Sequence, residues 1–260
     1  MRGVILAGGL GTRLHPLTKV TNKHLLPVYD RPMIFYPLQT LVAAGITDIL
    51  LVTGGNNAGD FLRLLENGEE FGCSLRYAYQ RGEGGIADAL RLARNFAAGE
   101  PIAVMLGDNL FEHGIKPACE AYARQDGGAR LLLKQVDDPQ RFGVATVAGG
   151  RITGIEEKPA RPQSRWAVTG CYFYDATVFE KIERCRPSRR NELEITDVNN
   201  LYIAERTLHY SILDGWWTDA GTFESLRRAT NLVAETGANR LPAEPVIAAA
   251  AGSKQGKSSR

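Results

Sequence analysis

Gly3–Thr18, GVILAGGLGTRLHPLT, holds the reading on which the fold turns. Its first five residues are an apolar run that reads as a buried strand, and the run passes directly into glycines at 8, 9 and 11. Glycines there let the backbone approach a bulky anion. Their N–H groups and that of Thr12 can point inward as donors, and Arg13 adds a fixed positive fork. A glycine-rich loop after a strand also suits a dinucleotide-binding turn or an ordinary strand-to-helix connection. The dinucleotide alternative fails on detail. Leu14 stands where the third glycine is needed, Pro16 interrupts the helix that should follow, and Asp30 sits between Pro27 and Pro32 instead of at a clean strand end. Phosphate binding at the end of a first α/β strand is the favoured reading.

Outward from this loop, short apolar runs at 48–53, 74–79, 102–106 and 130–134 alternate with helical stretches at Met33–Ala44 and Ile86–Phe96. That alternation predicts a parallel sheet with helices on both faces. After Gln135 the strands become closely spaced. GVATV (143–147), the turn AGGR and ITGIEEK (152–158) predict a hairpin, followed by a strand in AVTGCYFYD (167–175), and so an antiparallel or mixed addition to the sheet. Helices are expected at Ala176–Arg184, Glu194–Glu205 and Thr222–Thr236, with a strand in LHYSILD (208–214). From Gly237 the composition turns to Pro, Ala, Gly, Ser and Lys without an apolar face. The expectation is one domain over 1–236 and a flexible tail over 237–260.

The chain has 260 residues, 44% hydrophobic and 23% charged, enough to bury a substantial core. Its formal charge of +2 is spread over 31 basic and 29 acidic residues, so neither a nucleic-acid nor a membrane surface is indicated. The opening apolar run is too short for a signal peptide and no stretch approaches a membrane span, so a cytoplasmic location is expected. Four scattered cysteines (73, 119, 171, 185) and four histidines (15, 24, 113, 209) show no metal-ligand spacing and read as reduced or structural.

A second segment, TNKHLLPVYDRPMIFYPL (21–38), together with GGLGTRLHPLT, closely resembles the signature of the sugar nucleotidylyltransferases, in particular the glucose-1-phosphate thymidylyltransferase family. By itself a lone lysine such as Lys23 is more often a surface residue, and Asp108, at a strand's carboxyl end in LGDN, could equally cap a helix. The resemblance runs from Met1 to about Thr236 through LGDN, FGV (142–144), EEKP (156–159), AVTGCYFYD, RRNELEITDVN and GWWTDAGT, in the family's order.

What it implies is a Rossmann-like mixed, mostly parallel sheet flanked by helices, with a smaller antiparallel sugar-binding portion, the nucleotide-diphospho-sugar transferase type. It implies transfer of a nucleotidyl group from dTTP or UTP to a hexose 1-phosphate, foremost glucose 1-phosphate, with Mg2+ held by Asp108 and Asp219. Arg13, Lys23, Asp108 and Asp219 become the catalytic set. Leu6, Gly8, Gly9, Gly11, Thr12, Arg13, Gln80, Gly85 and Asp108 become nucleotide-binding. The Gln80 amide, offering a donor and an acceptor, and the Gly85 backbone would meet the base. Asn109, Gly143, Glu157, Lys158, Val168 and Arg190 are assigned to the sugar phosphate. Glu192 and Glu194 read as helix-start carboxylates, and of Trp216 and Trp217 one is expected to pack inward and one to shield the site.

The chain departs from the family pattern at Arg81 and Glu83, which replace prolines, at Asp88, where Gln or His is common, and at Asn191, which replaces a glycine. It ends where shorter family members do, so feedback regulation is not carried over, and homo-oligomerisation is left open. The competing readings are a different triphosphate or sugar phosphate, a nicotinamide-dependent oxidoreductase, and a catalytically silent sugar-nucleotide sensor. The sensor ranks below the enzyme because Arg13, Lys23, Asp108 and Asp219 are all present.

Overall fold

Strands rich in Val, Ile and Leu send alternate side chains to opposite faces, so a sheet built from them must be covered on both sides. The computed structural model, which describes residues 1–55 and 57–239, follows this rule. Its strands are β1 (Arg2–Ala7), β2 (Pro27–Val28), β3 (Arg31–Pro32), β4 (Asp48–Gly54), β5 (Ser74–Gln80), β6 (Ile102–Leu106), β7 (Asn109–Phe111), β8 (Ala129–Gln135), β9 (Gly143–Ala148), β10 (Arg151–Glu157), β11 (Trp166–Tyr174), β12 (Leu208–Ile212) and β13 (Trp217–Asp219). Its α-helices are α1 (Phe35–Ala43), α2 (Ala58–Leu65), α3 (Ile86–Arg91), α4 (Arg94–Ala97), α5 (Lys116–Ala123), α6 (Val178–Arg184), α7 (Ile195–Ala204) and α8 (Phe223–Thr236).

The main sheet has nine strands, ordered β10-β9-β11-β6-β1-β4-β5, with β8 also paired to β11 and β12 to β8. Its centre, β6-β1-β4-β5, is parallel, and β9, β10 and β11 add the antiparallel portion. Val4, Leu6, Leu50, Val52 and Val104 face a core closed by Phe96, Phe179, Ile182, Val198 and Tyr202 of α4, α6 and α7. The alternate residues Ile5, Ala7, Ile49, Leu51 and Met105 face a second core closed by Leu38, Leu41, Phe61, Leu65 and Tyr122 of α1, α2 and α5. The expected parallel sheet, the hairpin and the last strand are all present. The helix expected over Ile86–Phe96 is instead two short ones, α3 and α4. Helices α2 and α5 were not anticipated; each is only eight residues long and buries two side chains, Phe61 with Leu65 and Ala118 with Tyr122.

Strand β11 shapes the opening above the sheet. Its register with β8 jumps from Val168↔Leu133 to Tyr172↔Leu131, a bulge over residues 169–171. On its other edge β11 meets β9 only at Ala167 and joins β6 from Cys171 onward. The bulge lies at the level where β6 ends, and it re-aims the backbone there toward β7.

A third core of Val28, Met33, Tyr36, Leu110, Ala220, Ala229 and Val233 seats α8. The segment expected as a tail begins docked: Ala238 packs on this third core, and the Asn239 N–H donates to the Phe111 carbonyl at 2.9 Å. The Asn239 side chain donates to the Tyr36 carbonyl at 3.2 Å and accepts from the Thr40 hydroxyl at 2.6 Å. The rest of the expected tail, 240–260, lies outside the described residues. Asn239→Ala is therefore expected to lower the unfolding free energy by about 1 kcal/mol, since it removes two side-chain hydrogen bonds that tie this segment to α1, whose Thr40 hydroxyl keeps the Tyr36 carbonyl as partner. Thermal denaturation checks it, and an unchanged midpoint would show that these contacts contribute nothing.

Candidate active site

The loops leaving the carboxyl ends of β1, β5 and β6 converge on one cleft of about 640 Å³, the position at which open α/β sheets bind ligands. Every residue singled out from the sequence lines it: Leu6, Gly8, Gly9, Gly11, Thr12, Arg13, Lys23, Gln80, Gly85, Asp108, Asn109, Gly143, Glu157, Lys158, Val168, Arg190 and Asp219. In the glycine loop, Gly11 has φ 67°, and a Cβ there would come within 2.9 Å of the Lys23 Cβ. Both the left-handed backbone and the close approach of Lys23 require glycine. The Leu10 N–H of this loop donates to the Glu83 carboxylate at 3.2 Å.

Lys23 does not stand free. Its ammonium lies 2.6 Å from Asp108 Oδ2, both side chains being largely buried. Burial alone would raise the Asp108 pKa, but Lys23 outweighs it, helped by a hydrogen bond from Asn109, and the carboxyl stays well below the usual carboxylate range. The neighbouring His24 is pushed down to about 3 by burial, reinforced by Lys23, and is neutral. Its Nδ1 lies 2.7 Å from Asn22 Oδ1, which also accepts the His24 backbone N–H. An acceptor-only partner makes Nδ1 the protonated nitrogen. Two backbone bonds, Gly107 N–H to Leu6 O and Ala220 N–H to Asp108 O, tie the Asp108 loop to β1 and to the end of β13.

Asp219 reaches the same place from the far end of the chain. The β7–β13 ribbon sets Asp219 opposite Asn109, next to Asp108. Asn109 is buried; its Oδ1 accepts from Gly170 N–H in the β11 bulge and from Trp217 Nε1, and its Nδ2 donates to Asp108 Oδ1. Expected beside the sugar, Asn109 spends its amide on bracing Asp108. Asp219 is paired with Arg141, whose Nη2 lies 2.9 Å from Oδ1 and 3.1 Å from Oδ2. A Cβ placed on Gly221 would lie 3.3 Å from an oxygen of each aspartate and 3.1 Å from Arg13 Nη2. The two carboxylates and the arginine thus face one small space that only glycine leaves open.

On the opposite wall, Glu157 accepts from the Thr196 hydroxyl at 2.7 Å and lies 3.5 Å from the Lys158 ammonium. Arg190 is held among Glu157, Glu192 and Glu194, closest to Glu194 at 2.7 Å. Glu194 does stand at the start of α7, yet its carboxylate pairs with Arg190. Asn191 sits at φ 59°, left-handed backbone that asparagine tolerates better than other non-glycine residues, which accounts for its place in a glycine position. Trp217 lines the cleft, tilted on Phe142 at 4.8 Å, whereas Trp216 packs on the third core. At the end of β5, Gln80 is buried and its Nε2 donates to Gly85 O and to Asp88 Oδ2. Its amide therefore offers the cleft an acceptor, not the donor and acceptor expected.

The model of the nucleotidyl transferase family matches residues 2–236. The chain belongs to that family. Among curated members it is 47% identical to a glucose-1-phosphate thymidylyltransferase of Actinoplanes sp., over 90% of this chain and 78% of that one. It is 45% identical to the enzyme of the same name from Neisseria meningitidis, over 90% and 82%. A Bacillus anthracis structure assigned as a glucose-1-phosphate thymidylyltransferase and solved with sucrose superposes with TM-score 0.87 at 50% identity, over 90% of this chain and 96% of that one. A UDP-glucose pyrophosphorylase solved with UDP-glucose shares the fold, with TM-score 0.78 at 24% identity, over 90% and 98%.

The cleft of this nucleotidyl transferase is also lined by Arg141, Thr196 and Gly221, which its sequence did not single out. Arg141 carries no marker beyond a position in a short 3-10 turn before β9, Thr196 sits inside a helix, and Gly221 follows a strand end as many glycines do. Their roles come from long-range packing. The Lys23–Asp108 pair makes a sharp expectation. Lys23→Met leaves a buried carboxylate unpaired and Asp108→Asn an unpaired ammonium, each costing about 3 kcal/mol in urea unfolding. The double variant should cost less than the sum by about 1 kcal/mol or more. Additive losses would mean that the pair is not coupled.

Proposed function

We propose that the chain transfers the thymidylyl group of dTTP to glucose 1-phosphate, yielding dTDP-glucose and pyrophosphate, and that UTP is the other triphosphate the cleft accepts. The observation that carries this reading is the meeting, in one cleft, of a glycine loop with Arg13, two aspartates around Gly221, and a polar wall of Glu157, Lys158 and Arg190. High identity to enzymes of that name supports it. Residues 1–236 are the catalytic unit in this reading, and the four free cysteines support a cytoplasmic setting. No helix among the described residues is long and apolar enough to cross a membrane.

In this scheme a phosphate oxygen of glucose 1-phosphate attacks the α-phosphorus of dTTP. The new P–O bond forms as the bond to the β-phosphate oxygen breaks, and pyrophosphate leaves in line. The attacking group is already an anion, so no enzyme nucleophile and no general base are needed, and the barrier is charge repulsion plus misalignment. The glycine loop and Arg13 take the triphosphate. Lys23 lies at the α-phosphate, Arg190 and Lys158 hold the sugar phosphate, and Glu157 accepts sugar hydroxyls. Gln80 and Gly85 meet the base.

The donors suit a hard cation. Asp108 and Asp219 present oxygens to one small space, and no group of three or more potential ligand side chains exists among the described residues, so phosphate oxygens and water would complete the shell. Mg2+ bound there would supply neutralising charge at the transferring phosphate.

Pyrophosphate release over a grid of nucleoside triphosphates and hexose 1-phosphates tests the proposal. The largest kcat/KM is expected with dTTP or UTP and glucose 1-phosphate; no release with any pair overturns it. In the same assay Asp108→Asn and Asp219→Asn should each lower kcat by about a hundredfold or more. A folded variant with near wild-type turnover would remove that aspartate from the mechanism.

A further inference from the structure

The Gln80 amide is held in one of its two orientations by a residue outside the cleft. Gln80 ends β5 and is buried. Its Nε2 lies 2.8 Å from Asp88 Oδ2 and 3.3 Å from the Gly85 carbonyl oxygen, and neither partner has a hydrogen to give. Turning the amide over would set its carbonyl oxygen against both. Asp88 lies in the first turn of α3, and its other oxygen, Oδ1, receives the exposed Arg91 Nη2 at 2.8 Å. Both amide hydrogens are taken by Asp88 and Gly85, and Oε1 is left facing the glycine loop. A Cβ on Gly8 would come within 2.5 Å of it. Gly8, Gln80 and Gly85 line the cleft; Asp88 stands behind them.

A buried carbonyl with a fixed direction is a selective reader. Thymine and uracil carry a hydrogen on ring nitrogen 3 and can donate to it. Cytosine carries a lone pair there, so two acceptors would face each other and the buried oxygen would lose its partner. A neutral amide at position 88 could turn to suit either orientation of Gln80, and a carboxylate cannot.

We propose that Asp88 is a positioning residue for base specificity, whose carboxylate turns the Gln80 amide so that its carbonyl alone meets the base and pyrimidines with an N3–H are selected over cytosine. The proposal rests on the reading of Gln80 as the base contact, and the experiment separates the two. The measured quantity is the ratio of kcat/KM for dTTP to that for dCTP, with glucose 1-phosphate as acceptor. Asp88→Asn is expected to lower the ratio by about tenfold or more, with the KM for glucose 1-phosphate unchanged. Asp88→Ala, which also frees the amide to turn, should lower it as well and serves if the first variant does not fold. Arg91→Ala, which removes a surface ion pair, should leave the ratio within about twofold. Gln80→Ala should lower the ratio, and adding Asp88→Asn to it should lower it no further, because Asp88 acts only through Gln80. If Gln80→Ala lowers the ratio while both Asp88 variants keep it, Asp88 has no such role and the Gln80 reading survives. If Gln80→Ala keeps the ratio, the base is read elsewhere and both statements fall.

Discussion

An ammonium and a carboxylate 2.6 Å apart, Lys23 and Asp108, join the loop after β1 to the loop after β6. Each charge would be costly where it stands without the other, because burial favours the neutral form of both and a lone buried ion loses its hydration. The pair constrains its surroundings. Gly11 must lack a side chain because the Lys23 stem passes against it, and His24 must be neutral because it is buried beside a cation. Asn109 braces the other oxygen of Asp108 while taking hydrogens from the β11 bulge and from Trp217. Arg141 repeats the arrangement on Asp219. Both aspartates facing Gly221 are thus charge-balanced by resident cations.

This balance bears on the chemistry. In the proposed reaction the site receives a triphosphate, a sugar phosphate and a divalent cation, and such a site cannot hold bare like charges at close quarters before they bind. Two carboxylates with their own cations can stay ionised and oriented, and the same cations are then available to phosphate oxygens. The three acids around Arg190 do for the opposite wall what Asp108 does for Lys23.

The parallel centre of the sheet, its hairpin and the last two helices were legible because their apolar periods are strong. The Gly8–Arg13 loop was legible as part of a binding cleft on chemistry alone, and the rest of the lining was legible once motifs could be set in order. Three kinds of feature were not. Helices α2 and α5 are only eight residues long and bury two side chains each. The pairing of Lys23, and the bracing of Asp108 by Asn109, depend on which side chains tertiary packing brings within hydrogen-bond reach. Arg141, just outside the FGV motif, meets Asp219 only because packing brings the turn before β9 beside β13. The orientation of Gln80 was hidden for the same reason, since its partner Asp88 lies a helical turn beyond the loop.

In the free protein both aspartates are paired with protein cations, which substrate phosphates are expected to draw away. Calorimetric titration with Mg2+, with and without bound dTTP, tests it most directly. Two paired carboxylates give a hard cation too few free oxygens, whereas the triphosphate adds its own and draws Lys23 and Arg13 to itself. No saturable binding of Mg2+ to the free protein is expected below about 1 mM, and at least about tenfold tighter binding is expected in the dTTP complex, a gain of at least about 1.4 kcal/mol. Micromolar binding to the free protein, equal with and without nucleotide, would contradict it.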